Sequence, residues 1–281
     1  MVKLRVGVFF HEELRGRDWP IIGNKFAGFP DAMKEAVKLP NVRLYKPKPV
    51  SEELLLKVHS PSLLKRVKDA WYYHGARLSV DGCVEAAERI MRGEIDAALV
   101  FNVAAGHHAG PDSAWGGTYL SCTGPAIANL REKFGPGRFA ILDTDRHHGD
   151  GCRAIFMGDR DVLHVCFCDR SLVEDGGTKV DVDVGWSTTD GAYLELVMRE
   201  FVPRVEEFKP KLIFHFLGHD TCQGDYGDLG LTMQFFPRLV QLVKTCAERV
   251  CQGRYLIITG GGYRRDVAEY IFPRIIEILA G

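Results

Sequence analysis

The chain has 281 residues, 46% hydrophobic and 26% charged, with a formal net charge of −1. That balance is ordinary for a globular protein and long enough for one large α/β domain. It excludes a global nucleic-acid footprint and an acidic tail, so substrate recognition has to be local.

The N-terminal segment MVKLRVGVFF reads as a first strand rather than a signal peptide. No apolar run approaches the roughly 20 residues of a membrane span, so no membrane partner is expected. Beyond residue 84, strand-like and helix-like segments alternate. Helices are predicted over 84–91, 124–134, 192–208, 235–250 and from about 266 to the end. Strands are predicted over 97–103, 138–143, 162–167, 211–217 and 255–259. Their apolar runs are short and nearly continuous, as expected for strands covered by helices on both faces. The alternation predicts a parallel sheet in an α/β layer fold. With no repeat, low-complexity tract or Pro/Gly/Ser linker, residues 1–281 read as a single domain. The eight cysteines are scattered without C-x-x-C spacing, and free thiols in that number suit a reducing, cytoplasmic location. Cys166 and Cys168 alternate in an apolar run and read as buried strand thiols.

Ligands of open parallel sheets bind beyond the carboxyl ends of the strands. Four strands here run into loops rich in chemistry: GHHAG at 106–110, DTDRHHGDG at 143–151, GHD at 218–220 and GGGY at 260–263. In an extended segment, residues at i, i+2 and i+4 share a face, so Asp145 and His147 can reach one metal ion. A catalytic zinc commonly takes three protein ligands, and Asp220 is the expected third. No soft ligand is among them, so Fe2+ or Co2+ also suits the set, with Zn2+ the default. His107 and His108 are adjacent and can bracket the site. One would take a proton from water and the other would stabilise or protonate the leaving group, each fixed by an acid, with Asp143 and Asp150 available. Tyr263, after three glycines, can aim a hydroxyl at an oxyanion. GGGY lacks the Lys-Ser/Thr of a phosphate-binding P-loop.

Taken together, in this order, these loops resemble the histone deacetylase and acetylpolyamine amidohydrolase family. DTDRHHGDG is the most specific segment. The convincing match covers roughly residues 95 to 265, with LKVHSPSLLKRV at 56–67 a weaker match upstream. The resemblance implies an arginase/deacetylase-like, three-layer αβα fold around a parallel sheet of about eight strands. It implies an amidohydrolase that removes an acetyl or other acyl group from an amine by metal-activated water. The metal would be held by Asp145, His147 and Asp220. His108 would be the general base, paired with Asp150, and His107 its electrostatic or acid partner, paired with Asp143. Tyr263 would donate to the oxyanion. A structural K+ held through backbone oxygens of Asp143, Asp145 and His147 is also implied, and the substrate would be a small acylated amine or an acetyl-lysine.

Several positions depart from the family pattern. Gly117 stands where a tunnel-wall Phe is expected, and Cys168 where His is usual. The rim Asp has no match, and Arg77 lies in that region, which favours a neutral or anionic small substrate. No Arg occurs between Arg17 and Arg43, where the family often has one near the product exit. Gly224-Asp225-Tyr226-Gly227 replaces G-D-P-[LE]-G, with Asp228 near the missing acidic gatekeeper. His219 is expected to point away from the metal, and His215 to be a satisfied core histidine. Two other readings fit the same residues: a hydrolase of another small amide or ester, and a non-catalytic metal- or ligand-binding relative.

Overall fold

The computed structural model describes residues 4–281, so residues 1–3 of the expected first strand lie outside the described residues. In chain order it has β1 (Val6–Phe9), β2 (Val42–Tyr45), α1 (Glu52–Leu55), α2 (Pro61–Val67), α3 (Tyr73–Met91), β3 (Ala97–Val100) and α4 (Thr123–Phe134). Then follow β4 (Phe139–Asp143), α5 (Asp150–Phe156), β5 (Val162–Cys168), β6 (Leu172–Glu174), β7 (Lys179–Asp183), α6 (Asp190–Glu200) and α7 (Val202–Phe208). The chain finishes with β8 (Leu212–Leu217), α8 (Phe235–Cys251), β9 (Tyr255–Thr259) and α9 (Arg265–Ala280).

The strands form one nine-stranded sheet in the order β2-β1-β3-β9-β8-β4-β5-β7-β6. Every neighbouring pair is parallel except β6 with β7, so an antiparallel edge ribbon closes a parallel sheet. The parallel part matches the expected eight strands, and β6 is the addition. β3, β4, β5, β8 and β9 are buried along their whole length, because helices cover both faces. α3 packs against α4 and lies on β1, β3 and β9, while α8 packs against α9.

Local sequence explains most boundaries. Ser60 caps α2 by accepting from the Leu63 amide, with Pro61 at the first helical position. The predicted helix over 192–208 is two helices meeting at Phe201, where Pro203 lacks the amide hydrogen a continuous helix needs. α3 begins well before the predicted start at 84, because its buried face includes Gly75, Ser79 and Gly82 and so lacks a clean apolar period. No helix among the described residues is long and apolar enough to cross a membrane.

One consequence of the strand order positions the site. β3, β9, β8 and β4 are consecutive across the middle of the sheet. These are the strands that lead into GHHAG, GGGY, GHD and DTDRHHGDG, so four loops distant in sequence meet at one edge.

Candidate active site

Asp145 and Asp220 are buried and share the half-exposed imidazole of His147. His147 Nδ1 lies 3.2 Å from Asp145 Oδ1 and 3.1 Å from Asp220 Oδ2. One ligand atom from each residue falls within 4.8 Å of the others, which suits a single metal ion. The backbone holds the carboxylates in place. Gly261 N donates to Asp145 Oδ2 at 2.6 Å, His147 N to Asp145 Oδ1 at 3.1 Å, and Arg146 N to Asp220 Oδ1 at 3.2 Å. The electrostatics call for a cation. Burial and the neighbouring charge of Asp145 push the Asp220 carboxyl up to about 7, while hydrogen bonds to both carboxylates lift His147 to about 10.

The paired histidines lie beside this centre, their rings 4.1 Å apart. Nδ1 of His107 donates to Asp143 Oδ2 at 2.8 Å, and Nδ1 of His108 to Asp150 Oδ1 at 2.7 Å. Their environments separate them. Burial opposes charge on both, but Asp143 and Asp145 outweigh it at His107 and raise it to about 9. At His108 burial prevails over Asp150, and the imidazole is held below its ordinary value. The two imidazoles are thus pushed in opposite directions, His107 toward its charged form and His108 toward its neutral form, the division of labour an acid–base pair needs.

The structure does not bring Tyr263 into this cluster. Its side chain is half exposed and its hydroxyl donates outward to Gly224 O at 3.3 Å. The reason is local: Asp225 accepts from the Tyr263 and Arg264 amides and fixes the turn in that direction. Tyr226, stacked on Tyr263 with ring centroids 6.1 Å apart, takes the inner position. Its hydroxyl accepts from Gly262 N at 2.8 Å, leaving its own proton to donate. That hydroxyl, Asp145 Oδ2 and Asp220 Oδ2 all come within 2.9 Å of the point where a Cβ on Gly261 would stand. Gly261 therefore has no room for any side chain. Burial, then Asp220 and Asp145, raise the Tyr226 phenol and keep it protonated.

These groups form the floor of a cavity of about 430 Å³. Its walls are mostly apolar: Ile21, Ile22, Trp115, Gly117, Phe216 and Tyr226. The expected tunnel-wall aromatic is absent at Gly117, as read from the sequence, and Ile21 replaces it. A Cβ on Gly117 would meet Ile21 Cγ1 at 2.7 Å. Trp115 lies tilted against His108, ring centroids 4.0 Å apart, and donates from Nε1 to Asp150 Oδ2 at 2.8 Å, so it helps fix the His108–Asp150 pair. Lys25 supplies the buried cation that the sequence lacks as arginine, donating from Nζ to Gly260 O at 2.6 Å. Burial lowers Lys25 to about 8, against the pull of Asp145, Asp225 and Asp220. Sequence reading missed Ile21, Lys25, Trp115 and Tyr226. Only Tyr226 carried a signal, as an aromatic breaking a loop pattern.

Other expectations resolve by placement. Arg77 donates to Val50 O at 2.7 Å and lies 5.8 Å from the Tyr73 ring centroid, away from the cavity lining, so it does not set charge at the mouth. His219 is buried against Phe272 and away from the metal ligands' shared space, and burial keeps it neutral. His215 bridges Thr144 Oγ1 at 2.9 Å and Tyr255 Oη at 2.5 Å as a satisfied core histidine. His59, in the upstream match, clamps the first loop through Gly110 O at 2.8 Å and Ser121 N at 2.9 Å. All eight cysteines are buried and free.

Comparison with known proteins agrees with this geometry. A model of the histone deacetylase domain matches residues 24–279. A histone deacetylase-like amidohydrolase of Pseudomonas aeruginosa is 30% identical over 263 residues, covering 83% of this chain and 69% of that protein. A probable deacetylase of Archaeoglobus fulgidus is 31% identical over 220 residues, 73% of this chain and 61% of that protein. Among solved structures, the HDA15 HD domain superimposes with a TM-score of 0.84 over 98% of this chain and 89% of that one, at 20% identity, a likeness of fold. The chain belongs to the histone deacetylase family of metal-dependent hydrolases.

Proposed function

We propose that the chain acts as one catalytic domain that removes an acetyl or other short acyl group from an amine, with its metal held by Asp145, His147 and Asp220. The observation that carries this reading is the meeting of those three ligands, within 4.8 Å of one another, beside two carboxylate-paired histidines at the floor of an apolar cavity. The donor set is one imidazole and two carboxylates, so zinc is the default ion and iron(II) or cobalt also suits it. When bound, the ion polarises the acyl carbonyl and makes a neighbouring water a better nucleophile.

The chain's own residues supply the rest. His108, with Nδ1 committed to Asp150, accepts the water's proton at Nε2 during attack. Cationic His107, held by Asp143, places positive charge beside the developing oxyanion. Tyr226 keeps its phenolic proton and donates a hydrogen bond to that oxyanion, the role the sequence suggested for Tyr263. Collapse breaks the C–N bond, the nitrogen takes a proton from the histidine pair, and the carboxylate and free amine leave. The apolar walls accept an acyl methyl and an alkyl stem while excluding bulk water.

The expected structural potassium would rest on backbone oxygens of the loop from Asp143 to His147. A small acylated amine or an acetyl-lysine is the proposed substrate, and the buried free thiols support a cytoplasmic setting. The test is a screen of the zinc-loaded chain against acetyl-lysine peptides, acetylpolyamines and small N-acyl metabolites. Release of carboxylate and amine in equal amounts from at least one class is expected. Inertness toward all of them, with metal bound, would overturn the reading.

A further inference from the structure

We propose that the chain holds a second, structural metal ion, zinc or a similarly thiophilic divalent cation, between Cys166, Cys168, His148 and Asp181. The topology brings these residues together. Cys166 and Cys168 are two apart on β5 and share one face. Asp181 on β7 is the direct register partner of Cys166, so its side chain joins them. His148 reaches the same point from the loop after β4. It follows the catalytic ligand His147, and the two adjacent imidazoles turn to opposite sides, one toward each site.

The geometry suits tetrahedral coordination. One ligand atom from each of the four residues lies within 4.8 Å of the others. His148 Nδ1 is 3.7 Å from Cys168 Sγ and 3.4 Å from Asp181 Oδ1. A tetrahedron with bonds of about 2.0–2.3 Å has edges of roughly 3.3–3.8 Å. Both thiols are fully buried, and Gly149 N donates to Cys166 Sγ at 3.4 Å, an amide well placed to support a thiolate. Asp181 Oδ2 is buried without any hydrogen-bond partner, although Arg153 Nη1 holds Oδ1 at 2.8 Å. A bare carboxylate oxygen at that depth is costly unless something positive meets it. A divalent ion also offsets most of the local charge: two thiolates, Asp181 and Glu174, which shares Arg153 with Asp181, carry four negative charges, and Arg153 with the ion supplies three positive ones. The donor set is softer than that of the catalytic centre, so the two sites differ in metal preference. An ion here would pin the loop that carries His147 to β5 and β7.

Metal content and cobalt spectra of the full chain test this. After loading with zinc and removal of excess, the native chain is expected to hold about two ions, and Asp220→Ala and the Cys166→Ser/Cys168→Ser pair about one each. With cobalt, Asp220→Ala should keep a thiolate-to-metal charge-transfer absorption that the cysteine pair loses. Should the cysteine pair fail to fold, the native and Asp220→Ala spectra still decide. A cobalt-loaded native chain with no thiolate band, or Asp220→Ala with no metal, would overturn the second site. A native chain with one ion, a thiolate band, and no change on Asp220→Ala would uphold it and defeat the catalytic-metal reading instead.

Discussion

The floor of the cavity and its wall come from different kinds of chain. The floor is made where β3, β9, β8 and β4 end, and its residues are fixed by sheet register and by backbone amides that grip Asp145 and Asp220. The wall comes from irregular turns: the segment around Ile21 and Ile22, and the turn from Trp115 to Thr118. It is held by contacts between segments far apart in sequence, such as Gly117 against Ile21. Register allows little variation without losing the fold, whereas turns can be rebuilt. The comparison places the chemistry on the floor and the choice of substrate on the wall.

The sharpest break in that comparison is at the floor. Asp145→Ala or Asp220→Ala should lose the catalytic metal and reduce turnover to background, read by elemental analysis and acetate release; normal catalytic metal in both would remove them as ligands. His108→Ala should retain metal and slow turnover by about 10²–10⁴-fold, the usual worth of a general base. Tyr226→Phe should lower kcat by about 10²–10³-fold, and Tyr263→Phe by far less. The reverse order would mean that Tyr263 swings inward during turnover. On the wall, Ile21 is a β-branched residue at φ 66°. Ile21→Gly removes about 1–2 kcal/mol of backbone strain, so stability should hold or rise while KM climbs several-fold and kcat stays. A loss of kcat with unchanged KM would tie this wall to the chemistry. The smallest effect concerns Asp81 on α3, which accepts from Lys48 N at 2.8 Å and secures the irregular N-terminal third. Burial raises it to about 6, above its unfolded value of about 3.9. The folded chain therefore takes up a proton between those values, and stability should fall by about 2 kcal/mol as pH rises through that window. Asp81→Asn should flatten that fall in denaturant titrations at pH 4 and 7, and an unaltered slope would count against it.

The floor was legible in the sequence because its ligands crowd into short segments at strand ends, and a parallel sheet forces those ends to one edge. Asp143 with His107 and Asp150 with His108 follow the expected pairing, and the central strands lie within a few residues of their predicted bounds. β2, β6 and β7 escaped the reading: β2 buries only Val42 and exposes the adjacent Arg43 and Leu44, β6 is a three-residue exposed edge strand, and β7 reads KVDVD, with Lys179 and Asp181 buried by partners no local pattern reveals. The wall was illegible for the same reason. Nothing near Ile21 or Lys25 in sequence announces Gly117 or Gly260 as neighbours, and the orientation of Tyr263 depends on how Asp225 grips its turn. Cys166 and Cys168 were correctly read as buried thiols, but their register with Asp181 became visible only in the sheet.

Chelation followed by reconstitution tests the central claim most directly. Carboxylate release from an acylated amine would be measured for the native chain as loaded with zinc, after removal of metal, and after return of zinc, beside Asp220→Ala treated identically. Activity that disappears with the metal, returns with zinc in the native chain and never appears in Asp220→Ala is the predicted result. Hydrolysis that persists without metal, or that Asp220→Ala sustains, would contradict it.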